Sequence, residues 1–73
     1  MTLSELLRRK MNDYGYKSLT EFSEALGIPY GDVYGYICCK TTYLRAKNRR
    51  KICVALDIAP EVLDRAIRNS MGG

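Results

Sequence analysis

The residues with the clearest chemistry in this chain are six cations in one acid-free segment, residues 40–51, called here the basic segment. Its cations are Lys40, Arg45, Lys47, Arg49, Arg50 and Lys51. The residues on either side carry more acids than bases, so the formal net charge of +4 comes entirely from this segment. A dense positive patch on a near-neutral body is typical of a nucleic-acid-binding protein. The alternative is a solvated helix face, although such a face usually includes acids that relieve repulsion between neighbouring bases.

This sequence has few of the residues and motifs that catalysis and metal binding usually require. The chain has no histidine, which is the commonest general base and a usual zinc ligand. It also has no glycine-rich phosphate loop of the GxxxxGK(S/T) or GxGxxG type. The three cysteines are Cys38, Cys39 and Cys53, and adjacent cysteines fit a tetrahedral metal site poorly. We therefore expect no enzymatic activity and no cofactor, and cysteines that serve as small buried hydrophobes rather than as a redox switch.

Length and composition indicate one small folded domain spanning residues 1–73. An apolar fraction of 47% is that of a globular protein and argues against disorder. No apolar run approaches the roughly 18 residues that a membrane-spanning helix needs. The N-terminus has an early acid at Glu5 and no apolar stretch of the signal-peptide kind. These features predict a cytoplasmic protein with no membrane partner.

Capping residues and apolar periodicity predict an all-α fold, a compact bundle of five helices. The expected ranges are about 2–13, 18–26, 29–38, 45–56 and 60–69. Thr2 with Glu5, and Ser18 with Glu21, have the spacing of capping boxes. Gly27 should end the second helix, and Pro29 should lie in the first turn of the third. The tail from Asn69 should fray. The fourth helix should bury Ile52, Ala55 and Leu56, and Val62, Leu63, Ala66 and Ile67 should form the apolar stripe of the fifth.

The segment 19–40 carries the most functional information. A short helix ends in Ala-Leu-Gly, one apolar residue follows, and a new helix begins two residues later. Ser23 is small enough to let the two helices approach, and Ile28, Val33 and Ile37 can anchor the second helix against the first. This pattern is typical of a helix-turn-helix, in which the second helix is presented for entry into a DNA major groove.

The chain resembles the Cro and phage-repressor type of helix-turn-helix regulators, also called the xenobiotic-response-element family. The resemblance covers about residues 3–67 and rests on Leu19, Ser23, Leu26, Gly27, Ile28, Val33, Ile37 and Lys40, then Ile52, Ala55, Leu56, Ile58, Val62 and Leu63. It implies a five-helix domain of the lambda-repressor-like type that binds operator DNA, often as a two-fold dimer. It therefore implies a sequence-specific transcriptional regulator, and most simply a repressor, with double-stranded DNA as its partner.

The resemblance also assigns roles to residues. The base-reading positions, on the exposed face of the third helix, would be Tyr30, Gly31, Asp32, Tyr34, Gly35 and Cys38. The phosphate-binding positions would be Ser18, Thr20, Lys40, Thr41, Thr42 and Arg45. The charges of Lys47 and Arg49 on the fourth helix would add to this phosphate-binding set. A separate hypothesis, which rests on the residues and not on the resemblance, is that the apolar stripe of the fifth helix, with Met71, supplies a homodimer contact.

The residue types on the third helix leave other functions open. Relatives usually carry Gln, Arg, Asn, Lys or Ser at base-reading positions, whereas this chain offers tyrosines, glycines, an acid and a cysteine. The tyrosines could equally pack partly into the core, and Asp32 could simply favour the helix N-terminus. A helix-turn-helix scaffold used to bind another protein is therefore the alternative, as an adaptor, an antitoxin-like partner or a phage-encoded inhibitor. RNA binding through tyrosine stacking is a third hypothesis. A continuous surface formed by the tyrosines and the basic segment would favour DNA.

Overall fold

The computed structural model describes residues 1–71, and within that range it contains five α-helices and no strand. The helices are α1 (Leu3–Asp13), α2 (Leu19–Leu26), α3 (Tyr30–Ile37), α4 (Ala46–Ala55) and α5 (Pro60–Met71). They form a compact body with principal extents of 29 × 23 × 22 Å. The predicted all-α, five-helix fold is confirmed.

One hydrophobic core joins all five helices. The buried apolar residues are Leu3, Leu6, Leu7, Phe22, Leu26, Ile28, Val33, Tyr36, Ile37, Ile52, Leu56, Ile58, Leu63 and Ala66. Helix α1 packs against α3 and α5, while α2 packs against α3 and α4. Since α3 lies against both α1 and α2, its remaining side faces outward at a fixed angle.

Four helices end in the same way, with one residue in the left-handed backbone conformation. These residues are Gly15, Gly27, Cys39 and Asp57, with φ values of 76°, 70°, 61° and 52°. In each case the next amide N–H donates to the carbonyl five residues earlier, over 2.8 to 3.2 Å. This Schellman geometry satisfies carbonyls that a helix end otherwise leaves unpaired and turns the chain sharply. Glycine was expected at Gly27, but cysteine and aspartate take the same conformation elsewhere.

The helix starts agree only partly with the predicted caps. Thr2 and Glu5 form the full capping box: the Thr2 N–H donates to Glu5 Oε1 at 2.9 Å, and the Glu5 N–H donates to Thr2 Oγ1 at 3.3 Å. Ser18 makes only half of one, since its hydroxyl accepts from the Glu21 N–H at 3.1 Å while the Glu21 carboxylate accepts from the Lys17 N–H. Pro29 lies at the N-cap rather than in the first turn, because its ψ of 140° is extended.

The expectation of a frayed tail is wrong for residues 69–71, because α5 continues to Met71. Two hydrogen bonds tie its last turn to the start of the chain. The Leu3 N–H donates to Ser70 Oγ at 2.8 Å, and Asn69 Nδ2 donates to the Met1 carbonyl at 2.9 Å. The expectation for residues 72 and 73 lies outside the described range.

Several burial predictions also need correction. Cys38 and Cys39 are exposed and Cys53 is half-buried, so the cysteines are not core residues. Cys38 and Cys39 lie at the end of α3, where the next loop begins, and are not on the buried face of the helix. Ala55 is exposed because α4 turns a narrow face inward, centred on Asn48 and Ile52.

On α5 only part of the predicted apolar stripe is buried. Leu63 and Ala66 are buried, Ile67 is half-buried, and Val62 remains 48% exposed. The prediction for Gly35 on α3 is wrong in the opposite direction, because this residue was expected on the exposed face and is buried. A Cβ there would lie 3.2 Å from Thr41 Cγ2, so the absence of a side chain lets the loop after α3 pack closely.

Candidate nucleic-acid interface

Tyr30, Tyr34 and Lys40 form a continuous exposed surface along α3 and the loop that follows it, called here the aromatic ridge. The two tyrosines are one helical turn apart, and their rings stack with centroids 6.0 Å apart and an interplanar angle of 23°. They remain 48% and 40% exposed. The ammonium group of Lys40 lies 5.0 Å from the centroid of the Tyr34 ring, a cation–π distance. Partial core packing of these tyrosines is therefore not their main role.

The Tyr34 phenol lies one helical turn before Cys38, which influences its pKa. A side-chain hydrogen bond with Cys38, together with the charge that this thiol can carry, raises the pKa of Tyr34. Burial and the Tyr30 hydroxyl act in the same direction more weakly. Tyr34 is consequently a neutral phenol, and its exposed ring is available for contact with a ligand.

A shallow groove runs beside the aromatic ridge, between the N-terminal half of α3 and the loop before α4. It is lined by Gly31, Asp32, Tyr36, Thr41, Tyr43, Arg45 and Asn48. A Cβ added at Gly31 would meet no atom of the described chain within 4 Å, so the α3 backbone is open to solvent there. The groove brings the predicted residues Gly31, Asp32, Thr41 and Arg45 together on one side of the molecule.

Asn48 is a residue of this region that the sequence analysis missed. It is buried on α4, and its amide nitrogen donates to Asp32 Oδ2 and to the Tyr36 hydroxyl, both at 3.1 Å. The signal was available, because Asn48 precedes the core residue Ile52 by one helical turn and so shares its inward face. Asp32 is thereby held against α4, so a structural partner already occupies one of its oxygens.

The cations of α4 point to two flanks rather than to one. Lys51 donates from Nζ to the Gly27 carbonyl at 2.7 Å, at the turn between α2 and α3. Lys47 lies one turn earlier on that same flank, beside a shallow surface shared with Arg50 and Lys51. Arg49 instead forms an ion pair with Asp64 of α5. Asp64, which is distant in sequence but adjacent in space, therefore relieves part of the charge of the acid-free basic segment.

The remaining predicted phosphate contacts are differently placed. Ser18 and Thr20 are exposed at the start of α2, where free backbone N–H groups favour anions. Glu21 lies in the same first turn and opposes an anion there. Thr42 is half-buried and lines a small cavity with Thr2 and Ser70, on the side of α1 and α5.

Arg8, the first of three consecutive cations at residues 8–10 of α1, makes structural contacts. Arg8 donates from Nε to Ser4 Oγ at 3.3 Å and from a terminal nitrogen to the Ile37 carbonyl at 3.4 Å. Ser4 also donates to that carbonyl. Arg8 and Ser4 thus supply hydrogen-bond donors to a carbonyl at the C-terminal end of α3. A cation at that end also complements the helix dipole.

Within residues 1–71, no three side chains of the His, Cys, Asp or Glu type come together as a metal-binding group. The helices of the described chain are too short or too polar to cross a lipid bilayer. Comparison with models of protein families, with curated proteins and with solved structures finds no match in any of the three.

Proposed function

We propose that this chain is a cytoplasmic transcriptional regulator of the helix-turn-helix type, most simply a repressor, that docks α3 in the major groove of duplex DNA. Helices α2 and α3 are joined by residues 27–29 alone, and Gly27 is in the left-handed conformation that a tight reversal needs. Helices α2 and α3 pack against each other, and each has buried residues, among them Ser23 on α2 and Val33 on α3. This local arrangement is the one that such a docking mode requires.

The observation that carries the proposal is the continuity between α3 and the cations that follow it. Lys40 lies over the Tyr34 ring, and Arg45 lines the same groove as Gly31. A helix in the major groove has a phosphate backbone on each side, so cations must border the inserted face for both to be contacted. The aromatic ridge and the groove together present that combination.

The positions of the cations support a smaller phosphate-binding set than the sequence suggests. Lys40, Arg45 and Lys47 border the α2–α3 side, whereas Arg49 is neutralised by Asp64. Three phosphate contacts predict that log affinity falls with log salt concentration at a slope of roughly −2.7 per bound chain. Four contacts, with Arg49 included, would give a slope of roughly −3.6.

The test is a titration of a fluorescently labelled random-sequence duplex, followed by anisotropy at several salt concentrations. The expected result is tight binding at low salt with the three-contact slope. Lys40→Ala should weaken binding and flatten the slope. Arg68→Ala is the matched control, since it removes one positive charge from an exposed position on α5. Absence of binding at low salt, or equal effects of the two substitutions, would overturn the proposal.

Binding of a partner protein through the same surface is the second candidate function. It is favoured by the exposure of two stacked tyrosines, because aromatic side chains are enriched at protein interfaces. In that case the Tyr30→Ala variant would lose the partner while duplex DNA remained unbound by both forms. The duplex titration therefore decides between the two candidates.

The proposed homodimer would place two copies of α3 about one helical turn of DNA, roughly 34 Å, apart. Leu63 and Ala66 are buried in the chain's own core and are not available for that contact. The exposed remainder of the stripe is Val62 with Met71, and Met1 lies beside Val62. Sedimentation equilibrium tests this part of the proposal, and a monomer at high micromolar concentration would exclude a dimer formed without DNA.

A further inference from the structure

We propose that the aromatic ridge reads thymine, by contact of the Tyr30 and Tyr34 rings with the C5-methyl groups that thymines display in the major groove. This inference rests on the proposed DNA-binding function and names the base feature that the same site recognises. It makes duplexes rich in thymine methyl groups the preferred class of ligand.

The first argument is the absence of paired hydrogen-bonding groups on the exposed side of α3. Guanine and adenine are read mainly by Arg, Lys, Asn or Gln side chains that make two hydrogen bonds to one base. Helix α3 contains none of these residue types. Its one acid, Asp32, already accepts a hydrogen bond from Asn48. Direct reading of purines by α3 side chains is therefore not available.

The second argument concerns what the tyrosines can offer. The Tyr34 side chain is 40% exposed, and its ring stacks against that of Tyr30. The Tyr30 ring lies nearly parallel to it and is about half exposed. Together the two rings form one apolar surface on the part of α3 that would face the bases.

The third argument is clearance. Gly31 follows Tyr30 directly and has open space where a side chain would be. The backbone of the first turn of α3 can therefore approach the DNA closely enough for flanking rings to reach base edges. The thymine methyl group is the apolar feature on the major-groove edges of the four bases. An apolar surface brought to that groove will consequently favour thymine.

The experiment compares two pools of the same random-sequence duplex, one made with thymine and one with uracil in its place. Uracil keeps every hydrogen-bonding group of thymine and lacks only the methyl group. Burial of one methyl group contributes roughly fourfold in affinity, so two contacts should give roughly fifteenfold weaker binding to the uracil pool. A third pool, with 5-methylcytosine replacing cytosine in the uracil duplex, should recover part of the loss.

Three variants connect the effect to the ridge. Tyr30→Ala should lower the thymine-to-uracil affinity ratio from roughly fifteenfold to roughly fourfold, because the Tyr34 contact remains, while salt-dependent binding persists. Tyr34→Phe should keep the ratio, because the ring and not the hydroxyl makes the contact. Tyr14→Ala is the matched control, since Tyr14 is a 44% exposed tyrosine at the end of α1, outside both the ridge and the groove, and it should also keep the ratio.

The possible results distinguish this inference from the proposed DNA-binding function on which it rests. A ratio above fourfold that Tyr30→Ala lowers severalfold supports the reading of thymine. Equal, steeply salt-dependent binding to the thymine and uracil pools overturns the inference and leaves DNA binding intact. Failure to bind either pool at low salt overturns both. A ratio that Tyr30→Ala leaves unchanged assigns the selectivity elsewhere and also overturns the inference.

Discussion

The side-chain amide of Asn48 on α4 donates to the carboxylate of Asp32 on α3 across 3.1 Å, inside the surface proposed to face DNA. The same nitrogen donates to the buried Tyr36 hydroxyl, so both of its hydrogens are used. This contact fixes the start of α4, and with it Arg45, relative to α3. It therefore connects the packing of the helices to the position of the cations.

Asn48→Ala should lower the free energy of unfolding by about 2 kcal/mol, because it leaves the buried Tyr36 hydroxyl without its partner. Asn48→Asp should cost more at neutral pH, since it places a second carboxylate against Asp32. Tyr36→Phe, which removes only the hydroxyl, should cost less than either. Urea unfolding followed by circular dichroism measures all three, and equal stability of Asn48→Ala and the parent chain would contradict the assigned role.

Cys39→Gly should stabilise the chain. Cys39 holds a φ of 61°, which strains a residue with a Cβ and suits glycine. After the extra backbone freedom of glycine in the unfolded chain is subtracted, the expected gain is about 0.5–1 kcal/mol. The matched control is Cys38→Gly, one residue earlier at a φ of −88°, which should destabilise by a similar amount. Opposite signs for two identical changes, seen in the urea midpoints, would identify the left-handed backbone as the cause.

Gly31→Ala should have opposite effects on stability and on DNA binding. The added methyl group meets no atom of the described chain, and alanine stabilises a helix by about 1 kcal/mol relative to glycine. The same methyl group should hold the α3 backbone away from the base edges and weaken duplex binding severalfold. Thermal unfolding and anisotropy on one preparation test both effects. A stabilised variant with unchanged affinity would show that the α3 backbone does not approach DNA at this position.

Lys47→Ala and Arg49→Ala should differ, although they remove equal charge from the same helix. The first should reduce the magnitude of the salt slope by about 0.9, the effect of one lost phosphate contact. The second should leave the slope unchanged and lower stability by at most about 1 kcal/mol, as is typical of an exposed ion pair. If Arg49→Ala flattens the slope as much as Lys47→Ala, the Asp64 pair does not hold Arg49 away from DNA.

Cys53 should react with iodoacetamide more slowly than Cys38 and Cys39 at pH 8. Partial burial raises the pKa of the Cys53 thiol, with the Arg49 charge opposing the shift and nearby carboxylates adding to it. The folded state therefore favours the neutral thiol. The neutral Cys53 thiol therefore favours the folded state below the ordinary pKa of a thiol. This part of the free energy of unfolding is lost as pH rises through the raised pKa of Cys53. Mass spectrometry of alkylated peptides between pH 7 and 10 measures the order of reaction.

Local order along the chain was largely determined by the sequence itself. The Thr2–Glu5 capping box, the reversal at Gly27 and the apolar periods were enough to predict five helices and most of the core. These features depend on residues within a turn or two of one another, where backbone sterics and capping act directly. The exposure of Tyr30 and Tyr34 could be predicted in the same way, from their spacing on α3.

Only the tertiary structure decided which charges remain available and which polar groups serve packing. Arg49 meets Asp64, Asp32 meets Asn48, and the last turn of α5 is held by Leu3 and Met1, all between residues distant in the chain. No local pattern encodes such pairs, because they arise from the angles at which whole helices pack. The division of the basic segment into a flank beside α3 and a flank beside α5 is therefore a property of the folded molecule.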